Sequence, residues 1–95
     1  VPEVTPFSNK GTAGGYGYLV SVKENNRVYF GIRGKNLPAP EQFVLDLEYS
    51  GGGTSREQIV IDALDDKGMG YARLDLSGRL QDPMYGAVTG VTVTK

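Results

Sequence analysis

The chain reads most clearly from Tyr16 to Ile32, YGYLVSVKENNRVYFGI. Tyr16, Tyr18, Val20 and Val22 alternate with Gly17, Leu19, Ser21 and Lys23. Past a polar break, Val28, Phe30 and Ile32 alternate with Tyr29, Gly31 and Arg33. Period-two patterning on both sides of a break predicts a β-hairpin. Its register follows from the apolar set. With Glu24, Asn25 and Asn26 as the loop, Lys23 faces Arg27, Val22 faces Val28, Val20 faces Phe30 and Tyr18 faces Ile32. A two-residue loop at Asn25-Asn26 would set Val22 against Tyr29, and a slip of one residue moves a whole set of side chains to the other face. Three-residue loops commonly end in a left-handed residue, and Asn is the non-glycine type best suited to it. Asn26 fits that position.

Downstream, Phe43, Leu45, Leu47 and Tyr49 alternate with Val44, Asp46 and Glu48, which predicts a half-buried strand with an acidic outer face. Ile59, Ile61 and Ala63 form one face of a further strand. Asp65-Asp66-Lys67-Gly68 has the form of a type I turn closed by a left-handed glycine. Taken as a hairpin loop, it pairs Ile61 with Ala72 and Ile59 with Leu74, and it leaves Tyr71, Arg73 and Asp75 outward. Ala87–Lys95 is the last strand, interrupted by Gly90.

Between these strands lie Gly34–Pro40, a loop with two prolines, and Ser50–Arg56, a free surface loop or linker-like tip whose three consecutive glycines make it too flexible to be structural in itself. Ser77–Gly86 is an irregular connection in which Leu80 and Met84 are placed to plug the end of the core. Val1–Gly14 shows no sustained period, and Pro2 and Pro6 disfavour helix and central strand. It reads as an extended N-terminal arm carrying the apolar anchors Val4 and Phe7, joined through a flexible stretch with Gly11, Gly14 and Gly15 to a β domain over residues 15–95. Five or six short strands with no helix-period window predict an all-β fold: a small antiparallel, immunoglobulin-like β-sandwich or a partly open barrel.

Ninety-five residues suffice for one domain with one core. Ten Lys and Arg against eleven Asp and Glu are interspersed along the chain, with no basic stripe to point to nucleic acid. No apolar run reaches the roughly 18 residues of a membrane-spanning helix. The chain has no cysteine and no histidine. That removes disulfides, thiolate nucleophiles, the commonest general base and the commonest metal ligand. It begins at Val1 rather than methionine, which predicts a removed leader or a cut domain, and with it an extracellular, cell-surface or particle-associated location.

Asp62, Asp65, Asp66 and Asp75 carry the oxygens a calcium site uses, but Asp65–Gly68 lacks the calcium-loop spacing and aspartates also favour turns. Ser21 with Lys23 falls on the solvent side of a strand next to a turn, where nothing desolvates the lysine, and Ser8 with Lys10 lies in the arm. Neither glycine-rich stretch ends in the Gly-Lys-Ser/Thr of a phosphate loop. The remaining signal is aromatic and cationic. Tyr29 shares an outer face with Arg27 and Arg33, and Tyr71 shares one with Arg73. Tyr and Arg are enriched in binding hot spots, although the same pairs also stabilise sheets.

Gly34-Lys35-Asn36-Leu37-Pro38-Ala39-Pro40 leading into Phe43–Leu47, followed by Gly68 and the strand Tyr71–Leu76, resembles the extracytoplasmic β-sandwich domain of certain bacterial anti-sigma factors. The resemblance spans Tyr18 to Val93 and implies a sandwich outside the cytoplasm. It transfers no functional residue. The tryptophan of that family's middle strand is missing here, with Asp46 nearby instead.

These readings converge on a non-catalytic interaction module without cofactor or metal. It binds a protein partner or itself through strand edges, the arm residues Val4 and Phe7, and the patch residues Arg27, Tyr29, Arg33, Tyr71 and Arg73. Two other readings fit the same features. One is a structural subunit of a filament or a virion decoration protein; the other is an enzyme inhibitor presenting the loop Leu37–Pro40.

Overall fold

The structure, a computed structural model, describes residues 7–95. Seven strands make it up: β1 (Phe7–Ala13), β2 (Tyr16–Lys23), β3 (Arg27–Arg33), β4 (Glu41–Tyr49), β5 (Thr54–Ile61), β6 (Met69–Asp75) and β7 (Val88–Thr94). They form a four-stranded sheet in the order β1-β2-β3-β6 and a three-stranded sheet in the order β5-β4-β7. All pairings are antiparallel. The sheets remain separate and do not close, so the fold is a sandwich and not a barrel. The split of four and three matches the constant-type immunoglobulin sandwich, but here β1, β2 and β3 are laid down as consecutive neighbours.

The β2–β3 hairpin has the register that its apolar residues dictate, with Val20 opposite Phe30 and Val22 opposite Val28. Its loop is a short 3₁₀ turn over Glu24–Asn26 in which Asn25 and Asn26 both take positive φ, 60° and 54°. Only Asn, Asp and Gly adopt that region cheaply, so two successive asparagines are the sequence's answer to the backbone. Val20, Val28, Phe30 and Ile32 point inward from this hairpin and meet Phe43, Leu45, Leu47 and Ile61 of the other sheet. The rings of Phe30 and Phe43 meet at 5.2 Å between centroids, at the centre of the core.

Asn26 is the one buried polar residue among those described, and it is fully used. Its Nδ2 donates to the carbonyl of Gly86 at 2.8 Å and to that of Leu76 at 3.3 Å. Its Oδ1 accepts the Val88 N–H at 3.0 Å, and its own carbonyl accepts the Leu76 N–H. One loop residue thus ties the hairpin to the end of β6 and to the start of β7.

Four expectations from the sequence are corrected. First, β6 does not pair with β5. It lies against β3, with Ala72 opposite Phe30 and Leu74 opposite Val28. β5 ends at Ile61, and residues 62–68 carry the chain across to the other sheet, leaving Ala63 exposed. Apolar alternation marks which face of a strand is buried but not which strand lies beside it, and β3 offered β6 as good a match as β5 did. The turn at Asp65–Gly68 is present, with Gly68 N–H bonded to the Asp65 carbonyl and Gly68 at φ 79°.

Second, Phe7–Ala13 is not an arm. It is an edge strand paired along its whole length with β2, from Phe7 opposite Val22 to Ala13 opposite Tyr16. Gly14-Gly15 is the tight turn of that hairpin and not a joint between domains. Third, the glycine tip is not free. Ser50, Gly51 and Gly53 donate their N–H groups to the carbonyls of Ala87, Tyr85 and Met84. A Cβ on Gly53 would stand 2.7 Å from the Met84 carbonyl, so the glycines are there for close backbone approach. Fourth, Met84 stays exposed, and Leu76 and Tyr85 close that end of the core instead.

Candidate functional site

The outer face of the four-stranded sheet gathers the patch residues named from sequence. Across it, register sets Arg27 opposite Asp75, Tyr29 opposite Arg73, Gly31 opposite Tyr71 and Arg33 opposite Met69. β2 and β1 extend these rows. Lys23 lies beside Arg27, Ser21 beside Tyr29, and Leu19 beside Gly31 with Lys10 on its other side; Gly17 lies beside Arg33, with Thr12 beyond it. Arg27, Tyr29, Arg33, Tyr71 and Arg73, drawn from two strands some 40 residues apart, thus share one surface. Val4 lies outside the described residues. Phe7 opens β1 opposite Val22.

This face carries Lys10, Lys23, Arg27, Arg33 and Arg73 against a single carboxylate, Asp75. The opposite outer face presents Asp46 and Glu48 against Arg56. A chain of nearly balanced charge therefore separates its charge between two surfaces. The sequence hides this because the five cations are dispersed over four strands, and only the strand order brings them together. Leu19 (52% exposed), Tyr29 (39%) and Tyr71 (69%) stand among the cations. Exposed rings, an aliphatic side chain and cations thus share this surface, and of these Tyr and Arg are the types enriched where proteins bind.

Two of the depressions on the face differ in character. One, of about 480 Å³, lies among Arg27, Tyr29, Arg73, Leu74 and Asp75 and is polar. The Asp75 carboxylate accepts the Ser77 N–H at 3.0 Å. Bonding from Ser77, with a smaller contribution from Arg27, holds its pKa below the usual carboxylate value. The other depression, of about 530 Å³, is apolar and floored by glycine.

Elsewhere the polar side chains serve the fold. Arg79 reaches over the rings of Tyr49 and Tyr85, at 5.7 and 5.3 Å. It donates to the Tyr49 hydroxyl, to Ser55 Oγ at 3.0 Å and to Glu57 Oε2 at 3.3 Å. This cluster clamps the Ser77–Gly86 connection to β4 and β5. Nothing in the local sequence announced it, because its partners come from three separate stretches. Asp65 Oδ1 accepts the N–H groups of Lys67 and Met69, which closes its turn. Among the described residues no three of His, Cys, Asp or Glu converge in a metal-binding group. Leu37 packs against the core, leaving Pro38, Ala39 and Pro40 as the exposed part of that loop.

The chain matches no protein-family model, no curated protein and no solved structure. Among the described residues, no helix is long and apolar enough to cross a membrane.

Proposed function

We propose that the chain is a non-catalytic interaction module of a secreted, surface or particle-associated protein, and that it binds a protein partner through the outer face of its four-stranded sheet. The observation that carries this reading is the convergence of Arg27, Tyr29, Arg33, Tyr71 and Arg73 on one exposed surface, joined there by Lys10, Lys23 and Leu19. Arg and Tyr supply much binding energy per residue. A field of one sign speeds encounter with an oppositely charged partner.

The test is site-directed photo-crosslinking in an extract of the native source. A photoreactive side chain at Tyr71 samples the proposed face, and one at Val60, itself 53% exposed on the other sheet, serves as control. The expected result is a discrete product from position 71 that Arg73→Glu abolishes and position 60 does not give. Equal labelling from both positions, or labelling from position 60 alone, overturns the proposal.

A second reading, assembly of copies into a filament or onto a particle, draws on the opposite charge of the two outer faces, since such faces can stack head to tail without closing. Sedimentation over a range of concentration and salt separates the two. Self-association that salt weakens favours assembly, and a monomer at all concentrations favours a foreign partner.

A further inference from the structure

The geometry points to the chemistry of that partner: an acidic segment that inserts one bulky apolar side chain into the trough over Gly17 and Gly31. This inference rests on the proposed binding face and narrows it. Gly17 on β2 and Gly31 on β3 occupy diagonal positions in adjoining cross-strand rows, so two outward side chains are missing; the Tyr71 ring borders Gly31, 3.4 Å from where a Cβ would stand, while the space over Gly17 is open. The result is the apolar depression of about 530 Å³, with Leu19 and Met69 among its lining residues. Its volume lies within the ~300–1,000 Å³ range of small-ligand pockets.

The cations are placed around it. Lys10 lies beside Leu19 on β1 and Arg33 beside Gly17 on β3, and both line the trough. Neither makes an ion pair with any described residue. They stand two strands apart and two residues apart along the strands, about 12 Å at the usual spacings. In an extended chain successive side chains alternate, so the carboxylates that face the sheet with one inserted residue lie two positions before and after it, about 13 Å apart. Long Lys and Arg side chains cover the difference. Protein is favoured over single-stranded nucleic acid by the lining. A nucleobase carries polar edges, and glycine, leucine and methionine leave those edges unpaired at a cost. An aliphatic or phenyl side chain has no such edges.

The experiment is fluorescence anisotropy with labelled peptides on the full chain. The probe is an extended peptide of Asp and Glu with one central phenylalanine. Controls replace the phenylalanine with serine, or all carboxylates with amides, and an oligothymidylate is run in parallel. Gly17→Leu fills the trough. A Cβ at this position meets nothing within 4 Å and its φ is not left-handed, so the fold accommodates the change. Gly17→Val is a second filling variant, and thermal melts verify both.

The expected result is saturable binding of the acidic phenylalanine peptide, at least tenfold weaker for either control peptide and for Gly17→Leu, and weakened by salt. Absence of binding by that peptide overturns the inference, as does binding indifferent to both filling variants, or tighter binding of the oligothymidylate. If Arg27→Glu and Arg73→Glu weaken binding while the filling variants do not, the face stands and the trough inference alone falls.

Discussion

Replacing Asn26 with alanine isolates the polar hub of the fold. The side chain makes three hydrogen bonds, and its burial leaves 3% of it exposed. Truncation orphans the Val88 N–H and the Leu76 carbonyl in buried surroundings, while water can reach the half-buried Gly86 carbonyl. An orphaned buried group costs about 1–3 kcal/mol. Counting Val88 in full, and the 3.3 Å bond to Leu76 and the wetter one to Gly86 as about 1 kcal/mol together, gives about 2–4 kcal/mol. Alanine also resists φ 54°, adding about 1 kcal/mol. The sum is about 3–5 kcal/mol, against a total of about 5–14 kcal/mol for a chain of this length. Urea unfolding at neutral pH reads it directly as a lowered midpoint at unchanged slope. Asn26→Gly removes the backbone strain but not the lost bonds, so it recovers about 1 kcal/mol only. A loss below about 1 kcal/mol for Asn26→Ala refutes the hub, and near-complete recovery by glycine assigns the effect to backbone conformation instead.

Phe30→Ala, which empties the centre of the core beside Phe43, is expected to cost about 3–5 kcal/mol in the same assay. Arg79→Ala unlocks the Ser77–Gly86 connection at a cost of about 2–4 kcal/mol, and Arg79→Lys restores less than half, because an ammonium lacks the flat face that lies over the Tyr49 and Tyr85 rings; amide exchange over residues 77–86 locates the loss. The pKa of Asp75 is depressed in the folded state, so the stability it contributes is present above the unfolded carboxylate value and is lost as pH falls through the lower folded value. Asp75→Asn should therefore flatten the acid limb of a stability–pH curve and leave the alkaline limb unchanged. Deleting residues 1–13 removes all of β1 and bares the β2 edge, so the remainder should melt at clearly lower temperature; an unchanged melt would mean that β1 contributes nothing to the sandwich.

Local pattern was legible where two strands meet through a short turn. The Val20/Phe30 match fixed one register because any slip exposes valines, and the alternation Phe43–Tyr49 fixed the buried face of β4. Pattern failed where the answer lay in topology. Nothing in Met69–Asp75 distinguishes β3 from β5 as neighbour, and the prolines before Phe7 masked a strand that begins just after them. The charged face was illegible for the same reason: Lys10, Lys23, Arg27, Arg33 and Arg73 become one surface only when strand order is known. Asn26 was legible in part. Its left-handed backbone followed from the loop length, but its bonds to residues 50 to 62 positions away did not.

β1 and β7 are edge strands of different sheets, yet they run side by side in the same direction. Asn9 Nδ2 donates to the Val91 carbonyl at 3.1 Å, and Gly14 lies against the Lys95 side chain. Phe7 and Lys95 therefore lie at opposite ends of this strand pair, roughly 24 Å apart along it. A pull between those two points acts along the strands. It must slide β1 past β2 and β7 past β4, straining many rungs at once, where a pull across the strands would open them one by one. By its strand order, this small domain is arranged to resist tension along its strands, and its forced-unfolding rate should depend on which two residues are held.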